Sequence, residues 1–240
     1  VYPSQIAGPE RAYRIYLPPC YGGDGRVYPT LYMLHGSAST DSHWDDLGLD
    51  EAADTTIHAQ ISPPFLIVMP NGGDTANFTS GGPFSFEEVI LSDLIPFVEQ
   101  SYCAWAEPAG RGIGGLSRGG YWALEIAFRH PADFRSVGGH SAALLDQYAG
   151  PDLNPQYTAL SNDLGGLRIY LDIGADDWLI NPLQQLHEDM AAAGISHTWL
   201  LNPGRHEDAY WAEHAADYLA WYSQPWPPDR HAYPFCSPRP

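Results

Sequence analysis

The sequence contains no lysine. All 11 of its basic residues are arginine, set against 29 aspartates and glutamates, for a formal net charge of −18. Without lysine there can be no Schiff-base chemistry and no P-loop lysine. The acidic excess repels phosphate backbones and anionic bilayers, so neither nucleic acid nor a membrane is an expected partner. Long apolar runs are also missing: stretches such as residues 64–70 are strand-sized, well short of the ~18 residues a membrane-spanning helix requires. Cysteine is scarce. Cys20, Cys103 and Cys236 form no CxxC and no zinc-like spacing, which leaves one disulfide plus a thiol, or three buried thiols. No basic start followed by an apolar core appears after Val1, so no signal peptide is visible. What is present is globular: 240 residues, 44% hydrophobic and 13% aromatic, long enough to bury a full core and too apolar for disorder.

Strand-like and helix-like segments alternate along the chain. Residues 11–17 read as an edge-type strand running antiparallel to its neighbours, closed by Pro18-Pro19. Residues 30–34 and 65–69 read as buried strands, with further strands at 112–116, 135–139, 167–173 and 196–201. Helical spacing marks 86–102, despite Pro96, and then 119–129, 182–193 and 208–222. This alternation predicts a single α/β domain over residues 1–240, a mostly parallel sheet flanked by helices, with a Pro-rich tail at 224–240. The longest loops, 37–48, 71–85 and 141–166, each follow the C-terminal end of a strand. That is the edge at which open α/β sheets bind ligands.

Gly115-Leu116-Ser117-Arg118-Gly119 sits between a strand and a helix, the setting a GxSxG nucleophile elbow requires. The turn lifts the Ser117 hydroxyl above the sheet, and the two glycines let strand and helix approach closely. A serine hydroxyl needs a base, and in such a fold an acid and then a histidine follow later strands. The strand at 167–173 ends in Gly174-Ala175-Asp176-Asp177, and the strand at 196–201 ends in Asn202-Pro203-Gly204-Arg205-His206. The expected order is therefore Ser117, Asp177, His206, with Asp176 the alternative acid. Oxyanion donors are expected from the backbone N–H groups of Arg118 and of Ser37, which follows His35-Gly36 at the end of an earlier strand. The Arg118 side chain is expected to be a solvated arginine at a helix start.

These segments resemble the esterase D family of α/β hydrolases, which includes feruloyl esterases, S-formylglutathione hydrolases, enterochelin esterases and mycolyltransferases. The matching residues are Tyr16-Leu17-Pro18-Pro19, Tyr28-Pro29 with the strand to Gly36, Leu94-Ile95-Pro96, Gly114 to Gly120, and Pro203-Gly204-Arg205-His206 with Tyr210-Trp211. They span residues 11–222. The resemblance implies an α/β-hydrolase fold and Ser–His–Asp ester chemistry without metal or cofactor. It places the acid three residues after the strand-end Gly174, at Asp177, and an aromatic such as Trp44 along the substrate pocket, with plain loop packing the equal alternative for Trp44. The substrate would be a small ester with an aryl, acetyl or short acyl group, carbohydrate-linked or not. Acyl transfer is the alternative, and a non-catalytic binding module a more remote one.

Trp178, next to the expected acid, is a further candidate pocket wall. His140, at the end of the strand at 135–139, is a candidate substrate contact or a structural hydrogen-bonding residue. His206-Glu207-Asp208-Ala209-Tyr210 does not fit HExxH, so no metal site is expected. Asn77-Phe78-Thr79 is a glycosylation sequon. All three cysteines fall toward the sheet edge opposite the expected site. The tail carrying Cys236 is the most able to reach a partner, so a Cys20–Cys236 bond with Cys103 free is expected. Such a bond implies an oxidising compartment, hence secretion or the periplasm, with the cytoplasm as the alternative. Nothing in the sequence sets an oligomeric state.

Overall fold

The computed structural model describes residues 1–19, 21–145 and 147–236. Nine strands occur among them: β1 Tyr2–Ser4, β2 Gly8–Arg11, β3 Tyr13–Tyr16, β4 Thr30–Leu34, β5 Leu66–Pro70, β6 Arg111–Leu116, β7 Ser136–His140, β8 Arg168–Gly174 and β9 Thr198–Asn202. β1 and β2 form an antiparallel hairpin, which the sequence pattern did not signal. The other seven make one sheet in the order β3-β5-β4-β6-β7-β8-β9. Only β3 is antiparallel to its neighbour, so the fold is α/β with a mostly parallel central sheet, and the antiparallel first strand is as expected.

Side chains alternate across this sheet with period two. Tyr32, Leu34, Leu66 and Val68 enter one core, while Leu31, Met33, Ile67 and Met69 enter the other. Burial on both faces explains why these strands read as continuous apolar runs. Four longer elements cover the sheet: α2 Leu49–His58 and α9 Asp208–Ser223 contribute to one core, and α6 Arg118–Arg129 and α8 Ile180–Ala192 to the other. Three short helices, α1 His43–Asp46, α3 Gly73–Phe78 and α7 Pro155–Ser161, occupy the three long connections expected to be loops. They are too brief to show a helical repeat in sequence.

The helix expected at 86–102 forms in three parts: α4 Phe86–Glu88, a π-helical turn over Val89–Leu94, and α5 Ile95–Ser101. Pro96 lies at the start of α5. It has no N–H and its ring crowds the carbonyl four residues back, which a widened turn relieves.

Beside this helix lies a buried charge cluster. Glu125 of α6 is fully buried, and its Oε1 accepts from Arg129 Nη1 at 3.0 Å. Glu87 receives His130 Nε2 at 2.6 Å, together with Arg129 and the Gly82 N–H. Burial works against the Glu87 charge, but these donors outweigh it and hold its carboxyl below the ordinary range. Burial, and then the neighbouring Glu87 charge, push Glu125 up to about 9. In the unfolded chain Glu125 ionises near its ordinary value, whereas in the folded protein it stays protonated. Stability is therefore withheld progressively as pH rises from the ordinary carboxylate range to about 9. Glu125→Gln cannot ionise in either state. It is expected to raise the melting temperature at pH 7.5, by an increment that grows between pH 5 and pH 9. At 1.36 kcal/mol per pKa unit the gain is on the order of a few kcal/mol. A pH-independent or negative change in melting temperature would contradict the protonated state.

The disulfide differs from expectation. Cys103 is bonded to Cys236, closing a separation of 133 residues; Cys20 lies outside the described residues. The tail is positioned by backbone pairing. Val27 N–H donates to Pro234 O at 3.1 Å and Cys236 N–H to Gly25 O at 2.8 Å, while Tyr28 N–H donates to Cys103 O at 2.7 Å. Residues 25–28 thus lie between the tail and the Cys103 segment and bring the two cysteines together. No periodicity in the sequence announces a pairing of this kind. Cys103→Ser is expected to destabilise the fold by on the order of 5 kcal/mol in the chain-entropy account of a loop this long. Urea midpoints of the wild type, with and without reductant, and of the variant provide the check. Three coincident midpoints would refute it.

Candidate active site

The site lies at the C-terminal ends of the parallel strands. Ser117 follows the central strand β6 with φ +54° and ψ −117°, a strained conformation for a residue with a Cβ. Its surroundings hold it there: Ser117 N–H donates to His140 O at 2.9 Å, and Ser117 O accepts the N–H groups of Ala143 at 2.9 Å and Tyr121 at 3.1 Å. A Cβ on Gly115 would strike the Gly119 carbonyl, and one on Gly119 the Leu34 carbonyl. Only glycine lets β6, α6 and β4 approach this closely.

His206 lies in the turn between β9 and α9, and its Nε2 is 2.9 Å from Ser117 Oγ. Its Nδ1–H donates to Asp177 Oδ2 at 2.9 Å. Asp177, from the turn after β8, is buried, and its other oxygen accepts the Leu179 N–H at 2.8 Å. With Nδ1 protonated, Nε2 is left as the acceptor facing the serine hydroxyl. Asp176 is exposed, and its backbone N–H donates to Gly204 O at 2.9 Å, tying the acid turn to the histidine turn.

Gly36 lies against Ser117, since a Cβ placed on it would be 3.6 Å from Ser117 Cβ. The exposed Ser37 that follows is therefore beside the nucleophile. Arg118 is the first residue of α6, where helix geometry leaves a backbone N–H without an intrahelical acceptor. Two histidines to which the sequence assigns no role, His35 and His43, shape this strip. His43 Nδ1 accepts the Gly36 N–H at 3.4 Å, while its Nε2 meets Asp208 Oδ1 at 3.1 Å. His35 donates from Nδ1 to Gly36 O at 2.7 Å and accepts the Gly72 N–H at Nε2, 2.9 Å away. Burial lowers its pKa and keeps it neutral, as this pair of bonds requires.

Three expectations are corrected. The Arg118 side chain is not solvated: it is 3% exposed and packs over the rings of Tyr148, Tyr121 and Trp122. Trp44 does not line the cleft. It is 1% exposed, part of a core cluster, and its Nε1 donates to Leu34 O at 3.0 Å. Of its two readings His140 takes the structural hydrogen bond, and the substrate contact is overturned. It is fully buried, bonded through Nδ1 to Asp172 Oδ1 at 2.7 Å and stacked on Tyr218 at 3.8 Å between ring centroids. The cause is register: His140 pairs with Asp172 across β7 and β8, so the two side chains emerge side by side on one face. Asp172 Oδ2 also accepts from Tyr210 Oη at 2.8 Å and Tyr218 Oη at 2.7 Å, which makes this a filled polar knot inside the core.

Trp178 is at the surface. It is 65% exposed, with its ring centre 5.3 Å from that of His206. The buried Trp211 stands edge-on to His206 at 5.0 Å, so the imidazole sits between two indoles. The sequon residue Asn77 has its side chain engaged, with Nδ2 donating to Gly73 O at 3.0 Å and Oδ1 accepting the Ala38 N–H at 3.2 Å. Acidic groups are prominent in the turns around His206, where Asp176, Glu207 and Asp208 are exposed together with Arg205. A cavity of about 720 Å³ lies at the other end of the sheet, lined by residues including Asp163, Arg168 and His197, and contains none of these site residues. No helix among the described residues is long and apolar enough to cross a membrane.

The family model described as "Putative esterase" matches residues 4–222. Esterase Rv1288 of Mycobacterium tuberculosis is 32% identical over 175 residues, covering 68% of this chain and 36% of the relative. An endo-1,4-beta-xylanase/feruloyl esterase of Xylanibacter ruminicola is 31% identical over 140 residues, covering 55% of this chain and 19% of that protein. The chain thus spans about a third or less of the length of these relatives. A solved ferulic acid esterase is similar in fold, with a TM-score of 0.84 at 24% identity over 93% of this chain and 96% of that one. With all but the two ends of the sequence inside the family match, the chain belongs to the esterase family that this model describes.

Proposed function

We propose that this chain hydrolyses small carboxylic esters through Ser117, His206 and Asp177. The observation that carries the reading is the unbroken hydrogen-bonded series from Ser117 Oγ through His206 to Asp177 Oδ2. His206 Nε2 takes the hydroxyl proton as Ser117 Oγ attacks the ester carbonyl. The buried Asp177 carboxylate stabilises the imidazolium that forms. The backbone N–H groups of Ser37 and Arg118 hold the tetrahedral oxyanion, and His206 returns the proton to the departing alcohol. Water, activated by the same imidazole, then releases the acid from Ser117.

Aryl, acetyl and short acyl esters are the proposed substrates, carbohydrate-linked or free. The exposed Trp178 face beside His206 suits a flat aromatic or a sugar ring. The acidic groups in the turns around His206, within a chain of net charge −18, disfavour anionic esters. The Cys103–Cys236 bond supports an oxidising compartment as the working location. The test is a p-nitrophenyl ester series of increasing acyl length, with methyl ferulate alongside, each assayed with and without an acceptor alcohol. Turnover of the short and aryl esters in water alone is expected. Product formation only in the presence of the alcohol would instead identify acyl transfer, and no turnover of any ester would refute the reading.

A further inference from the structure

We infer that the side chain of Arg118 is a positioning residue for the Ser37 N–H, so that one residue governs both donors of the oxyanion hole; this rests on the ester-hydrolysis reading above. The Arg118 guanidinium turns away from the cleft toward the end of α3. Its Nε donates to Ala76 O at 3.3 Å, and its Nη2 to Thr79 O and, at 3.4 Å, to Ser80 Oγ. Two neighbours on α6 reach the same stretch: Trp122 Nε1 donates to Ala76 O at 2.9 Å and Tyr121 Oη to Ser80 O at 2.7 Å. These carbonyls belong to the C-terminal end of α3, where a helix runs out of its own donors.

The other side of α3 holds the strip containing Ser37. Asn77 Oδ1 accepts the N–H of Ala38, the residue after Ser37, at 3.2 Å. The Gly72 N–H, at the start of α3, donates to His35 Nε2 at 2.9 Å. Residues 35–38 are therefore fixed at both ends by the segment 72–77, and the far end of that segment is held by Arg118 together with Trp122 and Tyr121. The guanidinium is caged by Tyr148 at 3.9 Å, Tyr121 at 4.4 Å and Trp122 at 5.1 Å from its ring centres. A planar cation with several donors can satisfy carbonyls at its edge while its faces stack on rings, which neither lysine nor an apolar side chain can do. The backbone N–H of Arg118 thus serves as one proposed oxyanion donor while its side chain helps brace the loop carrying the other.

Arg118→Met fills the cage and retains the backbone N–H, but it removes the guanidinium's part of the brace, the bond to Thr79 O above all. It is expected to lower kcat for p-nitrophenyl acetate by about 10- to 100-fold, with KM within about threefold, because a displaced oxyanion donor acts on the transition state. Asn77→Ala breaks the link to Ala38 at its other end and should give a loss in the same range. The double variant should lose no more than the larger single loss, since both cut one series of contacts. Amide exchange over residues 35–40 should accelerate in both single variants. A kcat within about twofold of wild type, losses that multiply, or unchanged exchange would each overturn the inference. If Arg118→Met does not fold, Asn77→Ala decides on the same criteria. The exchange measurement needs no turnover, so it fails or succeeds independently of the nucleophile, whose own test is Ser117→Ala.

Discussion

Ser117→Ala is expected to lose on the order of 10⁶ in kcat while folding as the wild type does. The loss is large because the nucleophile is not one contributor among several. Without Oγ no acyl-enzyme forms, and His206 and Asp177 have nothing to activate. The residue left behind is still a polarising cleft, so a rate above uncatalysed hydrolysis should persist. Folding is retained because alanine keeps the Cβ, so the strain at φ +54° is unchanged. Ser117→Gly makes the complementary point. Glycine adopts this φ freely, so that variant should be equally inactive yet more stable by about 1 kcal/mol. Rates on p-nitrophenyl acetate and thermal melts of both variants provide the measurement. If either variant keeps more than about one per cent of wild-type activity, the elbow serine is not the nucleophile.

The second large effect separates two adjacent aspartates. Asp177 holds the Leu179 N–H on one oxygen and His206 Nδ1–H on the other. In Asp177→Asn the Leu179 N–H still requires an oxygen, so the amide must turn its NH₂ toward His206. Nδ1 then becomes the acceptor and the proton moves to Nε2, where it faces Ser117 and blocks deprotonation. A loss of about 10⁴ in kcat is expected. Asp176 is exposed, and Asp176→Asn should change kcat by less than about threefold and stability by less than about 0.5 kcal/mol. Parallel kinetics at neutral pH decide between them. The reverse pattern would show that His206 is supported by a different carboxylate in solution.

The positions of the strands were legible because burial on both faces of the sheet writes continuous apolar runs, as at Leu31 to Leu34 and Leu66 to Met69. Ser117, Asp177 and His206 could be picked out because each follows a strand end, and strand ends are what such runs mark. The side chains between those points were less legible. Arg118 at a helix start looks like a solvated cation in sequence, and only the packing of Tyr148 and the end of α3 shows the cage. His140 looked available at the active edge until the register with Asp172 placed it in the core. Trp44 lies on a four-residue helix whose direction no periodicity reveals. The Cys103–Cys236 bond depends on the tail pairing with residues 25–27, a contact between chain segments about 200 residues apart that leaves no local trace.

Position within the sheet also ranks the members of the site by how firmly they are anchored. Ser117 grows out of β6, which has a strand on either side, and Asp177 follows β8, which is likewise flanked. His206 depends on β9, the last strand, paired on one side only and with no fully buried residue, Leu200 and Leu201 being exposed. Margins of a sheet open at lower free energy than its middle. On warming, the base should part from the nucleophile while most of the sheet still stands. Heat inactivation would then begin below the unfolding transition seen by circular dichroism, and the working ceiling of the catalyst would be set by its border strand, not by its cores.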